Sequence, residues 1–244
     1  MGTGTAVLFD LEDTLVQTPW SDPQHVEEFR HRTRQKLLDL GVPPMVLAGI
    51  ERATVMRNKA SEYVEQKFSK AETERFNLEM EKFLCRYEQD SAEKSRLFPD
   101  AVPALKSLRR LGIRMGLITN TSAKAVNTVF QMYSLEPYFD VVITRECVKR
   151  LKPDPEGILL AVKQLGGNKF FMVGDLAVDV LAAKTARALA ILVRRRGKSD
   201  SQGLFKGLPY EVLEKARSAL DGKSDLSPDY VIQSLDELRA IVHR

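Results

Sequence analysis

The sequence predicts an α/β protein: a Rossmann-like parallel sheet core with an all-helical module inserted after its first strand. Three observations carry that prediction. Short, wholly apolar runs recur along the chain, and such runs suit strands covered on both faces. Most are followed by a turn and a helical pattern, and this alternation implies right-handed crossovers and a parallel sheet. Between about Thr18 and Leu97 the strand-like runs stop and three helical patterns follow one another. The expected division is residues 1–17 and 97–244 as the α/β core, with 18–96 as the helical insert.

Each element has its own signal. Ala6-Val7-Leu8-Phe9 is the first strand. In the insert, His25 to Leu40, Met45 to Gln66 and Thr73 to Tyr87 read as helices. Gly41-Val42-Pro43-Pro44 separates the first two. In the third, Phe76, Met80, Phe83, Leu84 and Tyr87 share one face. Asp100 is placed to cap a helix starting near Ala101. After a turn near Gly112 comes the strand Met115 to Ile118, and Thr121 or Ser122 can cap the helix that runs to about Tyr133. Val141 to Ile143 is the third strand of the core. Asp154 with Pro155 reads as an N-cap followed by proline at the first helical position. Phe170 to Val173 is a strand ending at Gly174, and Leu176 to Arg187 is an alanine-rich helix. Ala188 to Val193 is a longer strand, Pro209 to Leu220 an added helix, Tyr230 to Ile232 the last strand and Leu235 to Val242 the terminal helix.

A chain of 244 residues has room for a sizeable core and an accessory module. The net charge of +4 and pI of about 9.0 are mildly basic. The charge is interspersed and not gathered in a stripe, so no nucleic-acid partner is expected. The sharpest cluster, Arg194-Arg195-Arg196-Gly197-Lys198, reads as a solvated loop after a strand. Cys85 and Cys147 are far apart and form no CxxC pair, which fits a reducing cytoplasm. The first apolar run is followed at once by acids, unlike a signal peptide, and no apolar run approaches the ~20 residues of a membrane span. A cytoplasmic protein without a membrane partner is expected. His25, His31 and His243 show no ligand spacing.

Four segments carry chemistry. Phe9-Asp10-Leu11-Glu12-Asp13-Thr14 puts three acids just beyond a strand's carboxyl end, where ligands bind in open α/β sheets. Ile118-Thr119-Asn120-Thr121 offers a hydroxyl, an amide and free N–H groups at a helix start, a phosphate-binding set. Lys152-Pro153-Asp154-Pro155 carries a lysine on a loop stiffened by prolines. Val173-Gly174-Asp175 with Asp179 places two carboxylates on one face of an entering helix, hard oxygen donors suited to Mg²⁺. Taken singly, each also reads as a polar capping turn or a surface lysine. Together they supply a nucleophile, phosphate donors, a cation and a metal site at one sheet rim, the parts of phosphoryl transfer.

In their order and residues, the four motifs resemble those of the haloacid dehalogenase-like hydrolase superfamily, specifically its phosphoglycolate-phosphatase-like members with a helical cap. The resemblance covers almost the whole chain, ending with Pro228-Asp229-Tyr230-Val231-Ile232 through Leu238. It implies that Asp10 attacks phosphorus and that Thr119 and Lys152 bind the phosphoryl group, with Asn120 beside them. It implies Mg²⁺ on Asp10 and Asp175 and on the backbone carbonyl of Glu12, with Asp179 ligating the metal or orienting its waters. It also equates the insert with the family's helical cap. The interval from Thr119 to Lys152 is too short for the family's larger type of cap. Two positions depart from the pattern. Glu12 stands where the family usually has an aspartate acid/base; its acidity is similar but it has one more methylene. Asp13 stands where glycine or asparagine is common.

The expected function is hydrolysis of a small phosphorylated metabolite. A phosphomutase, or an interaction module with weak catalysis, are the alternatives; Lys152 with Asp175 and Asp179 argues against a dehalogenase. Arg52, Arg57 and Lys59, on a helix of the insert, can meet a substrate carboxylate or simply face solvent. Trp20, at the junction of core and insert, is expected to pack.

Overall fold

The computed structural model describes residues 4–195, 204–220 and 225–243. The chain enters on strand β1 (Thr5–Phe9) and reaches a two-residue strand, β2 (Val16–Gln17). Three helices follow: α1 (Pro23–Asp39), α2 (Ala53–Lys67) and α3 (Lys70–Glu93). A second short strand, β3 (Arg96–Leu97), lies antiparallel to β2, pairing Val16 with Leu97 and Gln17 with Arg96. The outgoing and returning chains of the helical stretch are therefore side by side. Beyond it come α4 (Ala101–Arg110), β4 (Arg114–Ile118), α5 (Ala123–Tyr133), β5 (Val141–Ile143) and α6 (Glu156–Leu165). The chain continues with β6 (Lys169–Gly174), α7 (Ala177–Thr185), β7 (Leu189–Val193), α8 (Tyr210–Ala219), β8 (Tyr230–Ile232) and α9 (Leu238–Val242).

Among the described residues the main sheet has the order β5-β4-β1-β6-β7-β8, with every pairing parallel. β1 sits in the middle: Phe9 is in register with Leu117 on one side and Val173 on the other. Its residues alternate between two cores. Ala6 and Leu8 join α6 and α7, while Val7 and Phe9 join α4, α5 and α9. Burial on both faces is why the strand reads as an unbroken apolar run. The chain runs β1, β4, β5 outward and then crosses back to β6, so a topological switch point opens beside β1, where α/β sheets bind ligands.

The helical stretch has its own packing. α1 starts on Asp22, whose Oδ1 accepts from the Gln24 amide, and α3 starts on a Ser69–Glu72 capping box. Phe76, Met80 and Leu84 of α3 are buried, and Phe29 meets Phe83 and Tyr87 ring to ring. The expected helix from Met45 to Gln66 is broken. Pro44–Leu47 is a 3-10 turn, Gly49 has φ 69°, and the α-helix begins only at Ala53. Arg34 explains the break: its guanidinium donates to the carbonyls of Leu47 and Ile50. Among the described residues, no helix is long and apolar enough to cross a membrane.

Asp100 does not cap α4. Its carboxylate pairs with Arg195 at 2.6 Å and accepts from the Leu235 amide and the Ser234 hydroxyl, each at 2.9 Å. Arg195 also donates to the Thr14 carbonyl and lies over the Phe98 ring. It is thus a packing residue and not part of a solvated loop; Arg196 to Lys198 lie outside the described residues. Burial would raise the Asp100 carboxyl, but Arg195, the Leu235 amide and Ser234 outweigh it and hold the group below its ordinary value. The bonded carboxylate therefore stabilises the fold fully above the ordinary carboxylate value, and the contribution fades as pH falls below it. Asp100→Ala should cost about 1–2 kcal/mol in urea unfolding at pH 7, allowing for partial exposure. The difference from wild type should shrink as pH falls below the ordinary carboxylate range.

Candidate active site

The rim of the sheet beside β1 gathers the predicted residues. The Asp10 amide still bonds in the sheet, donating to the Val173 carbonyl at 2.9 Å, so the side chain emerges where the strand ends. The next turn is tight: Asp13 has φ 56° and its amide donates to the Val16 carbonyl. Aspartate tolerates this left-handed position better than most residues. Its carboxylate accepts from the Thr18 amide and hydroxyl, at 3.1 and 3.4 Å. The extra acid of this motif is thereby used at the start of the helical stretch.

Glu12 is held from two sides. The Thr121 hydroxyl donates to Oε2 at 2.8 Å and the Trp20 indole to Oε1 at 2.9 Å. Burial pushes this carboxyl up to about 7; the Thr121 and Trp20 bonds hold it down, while Glu88 and Asp13 add to the rise. Trp20 packs on His25 and Phe29 as expected, but it also orients Glu12.

Lys152 is 4% exposed. Its Nζ donates to Asp10 Oδ1 at 2.6 Å, to Asp179 Oδ1 at 2.6 Å and to the Ile118 carbonyl at 2.9 Å. Burial alone would lower its proton affinity; Asp10 and Asp179 raise it further than burial lowers it. Asn120 does not reach across the site. Its Oδ1 accepts from the Lys152 amide at 3.0 Å and its Nδ2 donates to the Lys152 carbonyl at 3.3 Å, so it grips the lysine's backbone. Thr119 is buried, and its hydroxyl accepts from the Thr121 amide.

Asp175 follows β6 and Asp179 lies in the first turn of α7, where its Oδ2 accepts from the Leu176 amide at 3.0 Å. Gly174 makes room for it: a Cβ there would overlap the Asp179 side chain. Carboxylate oxygens of Asp10, Asp175 and Asp179 lie within 4.8 Å of one another, and all three residues are buried. Burial, with Asp179 and Asp175 nearby, raises Asp10 well above its ordinary value against the pull of Lys152. Three buried carboxylates facing one ammonium leave negative charge in excess, and the donors are all hard oxygens. The set fits a divalent cation.

The helical stretch adds residues that spacing did not single out. Arg145, just past β5, is 1% exposed and pairs with Glu88 and Glu81 of α3. Glu88 also accepts from the Ser122 amide at the start of α5. Asn58 of α2 bonds to the backbone of Leu151. A polar residue past a strand end was the available signal for Arg145; nothing local marked Glu88 or Asn58. Of the cations expected on α2, Lys59 pairs with Glu211 and Arg52 donates to the Leu204 carbonyl. Burial lowers Arg52's proton affinity, while Asp179 and Asp175 oppose that. Burial and then Arg145 lower Arg57 to about 10.

Comparison with known proteins agrees with this geometry. The sequence signature described as haloacid dehalogenase-like hydrolase matches residues 5–187. Phosphoglycolate phosphatase 1 of Pseudomonas aeruginosa is 32% identical over 228 residues, covering 88% of this chain and 78% of that protein. A provisionally named pyrophosphatase of Caldanaerobacter subterraneus is 24% identical over 240 residues, covering 98% and 94%. The crystal structure of a phosphatase of the same superfamily from Thermococcus onnurineus is 26% identical, with a TM-score of 0.54 and 97% of each chain covered. A signature spanning most of the chain, on a sheet whose rim carries the matching residues, means that this chain belongs to the haloacid dehalogenase-like hydrolase family.

Proposed function

We propose that the protein is a Mg²⁺-dependent phosphatase of small phosphomonoesters, working through an aspartyl-phosphate on Asp10. The observation that carries this reading is the buried trio of Asp10, Asp175 and Asp179, two of which, Asp10 and Asp179, the Lys152 ammonium bridges. Relatives named for phosphoglycolate hydrolysis support the substrate class.

In this reading an Asp10 carboxylate oxygen attacks phosphorus while Lys152 and Thr119 hold the phosphoryl oxygens. The bond from phosphorus to the leaving oxygen breaks, and that oxygen takes the proton carried by Glu12. Glu12, now a carboxylate, takes a proton from water as the water oxygen attacks the aspartyl-phosphate. Phosphate leaves and both Asp10 and the protonated Glu12 are restored. A carboxyl near 7 is suited to both half-reactions. Asp10 and Asp175, with the Glu12 carbonyl, would hold Mg²⁺, with Asp179 ligating it or orienting its waters. When bound, the cation supplies charge neutralisation at the phosphoryl group. We also assign residues 18–96 as a cap that opens about the paired strands β2 and β3 to admit substrate and closes to exclude water.

Four outcomes test this. Purified protein should hydrolyse p-nitrophenyl phosphate and phosphoglycolate with Mg²⁺, and EDTA should stop it. Asp10→Asn should lower kcat by about 10³-fold or more; turnover that survives EDTA or this substitution rules the mechanism out. Glu12→Gln should slow phenyl phosphate by about 10²–10⁴-fold; with p-nitrophenyl phosphate it should leave a burst of nitrophenolate ahead of slow turnover, because nitrophenolate leaves without a proton while hydrolysis of the aspartyl-phosphate still needs the base. Equal losses on both esters, with no burst of nitrophenolate, would remove Glu12 from the acid role. Gly174→Ala should displace Asp179 and raise the Mg²⁺ concentration needed for half-maximal activity by about tenfold or more.

A further inference from the structure

Two asparagines hold consecutive residues of the lysine loop. Asn120, beyond β4, binds both backbone groups of Lys152. Asn58, in the middle of α2, does the same to Leu151: its Oδ1 accepts from the Leu151 amide at 3.0 Å and its Nδ2 donates to the Leu151 carbonyl at 2.8 Å. An amide side chain pairs with a residue's N–H and C=O as a neighbouring strand would. One clamp comes from the core and the other from the helical stretch, 93 residues away in sequence.

The face of α2 that carries Asn58 continues the grip. Glu62 and Glu65, four and seven residues on, lie on the same helical side and both pair with Arg150. These ion pairs are partly exposed and contribute little. The Asn58 bonds are better shielded, and replacing that side chain strands a partly buried N–H and C=O. Leu151 itself is buried, and the next side chain along is the ammonium that bridges Asp10 and Asp179.

We propose that Asn58 is a positioning residue for Lys152: docking of α2 locks the Leu151–Lys152 backbone and so sets where the ammonium stands between Asp10 and Asp179. The helical stretch then does more than cover the site, because the phosphate-binding lysine is fully held only while α2 is seated. This rests on the phosphatase reading for the meaning of the lysine, though not for the clamp. Displacing a reacting group by an ångström can cost about 10²-fold in rate.

The test compares wild type, Asn58→Ala and Asn58→Asp, with Glu65→Gln as a control that loosens the same face without touching Leu151. Two quantities are measured: steady-state kinetics on p-nitrophenyl phosphate with Mg²⁺, and the rate at which acetic anhydride acylates Lys152, read by mass spectrometry. Both Asn58 variants should lose about tenfold or more in kcat with little change in KM, and their Lys152 should acylate faster. Glu65→Gln should match wild type in both. A folded Asn58 variant with wild-type kcat, or with unchanged Lys152 acylation, overturns the proposal. If Asn58→Ala does not fold, the near-isosteric Asn58→Asp decides. If wild type hydrolyses no phosphomonoester, the phosphatase reading falls, and acylation alone decides the clamp: faster supports it, unchanged overturns it.

Discussion

The buried ammonium of Lys152, between Asp10 and Asp179, is the interaction on which the rim depends. Moving any of these ions out of water costs several kcal/mol, and the cost is met only if each finds opposite charge at close range. Three strands must therefore end together: β1 delivers Asp10, β4 delivers the Ile118 carbonyl that receives the lysine, and β6 leads into α7 and Asp179. The parallel register of Phe9 with Leu117 and Val173 brings those ends level. The lysine comes from none of these strands. It sits on the loop between β5 and α6, which is why its backbone needs separate support.

That support is distributed between the two parts of the chain. Asn120 holds Lys152 from the core, and Asn58 holds Leu151 from α2. The other contacts of the helical stretch have the same character. Trp20 donates to Glu12, Thr18 donates to Asp13, and Glu88 of α3 meets both Arg145 and the Ser122 amide. The helical stretch thus reaches the Asp10 turn, and the residues next to the Thr119 and Lys152 segments, through polar side chains, while its apolar faces join the core containing Ala6 and Leu8. Buried polar contacts of this kind are costly when broken, so they fix one geometry more sharply than apolar packing does.

Glu12 shows how local departure and tertiary setting combine. The motif has glutamate where an aspartate is usual, and the longer side chain reaches the hydroxyl of Thr121 and the indole of Trp20. Burial then brings its carboxyl to about 7. A carboxyl of that proton affinity suits the acid/base role proposed for Glu12. Asp13 departs as well, and it sits at a left-handed backbone position with its carboxylate bonded to Thr18.

The sequence alone determined the six strands of the main sheet and most of the helices, because burial on both faces writes itself as unbroken apolar runs such as Ala6 to Phe9 and Val141 to Ile143; the short pair β2 and β3 carried no such run. It also marked Asp10, Lys152, Asp175 and Asp179, since chemistry at a sheet rim needs charge directly after a strand or at a helix start. It misjudged the helix from Met45, where Arg34 takes the carbonyls that would have continued it, and the Asp100 cap, where a distant arginine takes the carboxylate. It left Asn58, Glu88 and Arg145 unmarked. Each is an ordinary polar residue until folding brings it against a partner 57 or more positions away. Periodicity and motif spacing record local constraints; proton affinities and long-range clamps depend on which distant groups are buried together, and only the tertiary structure decides that.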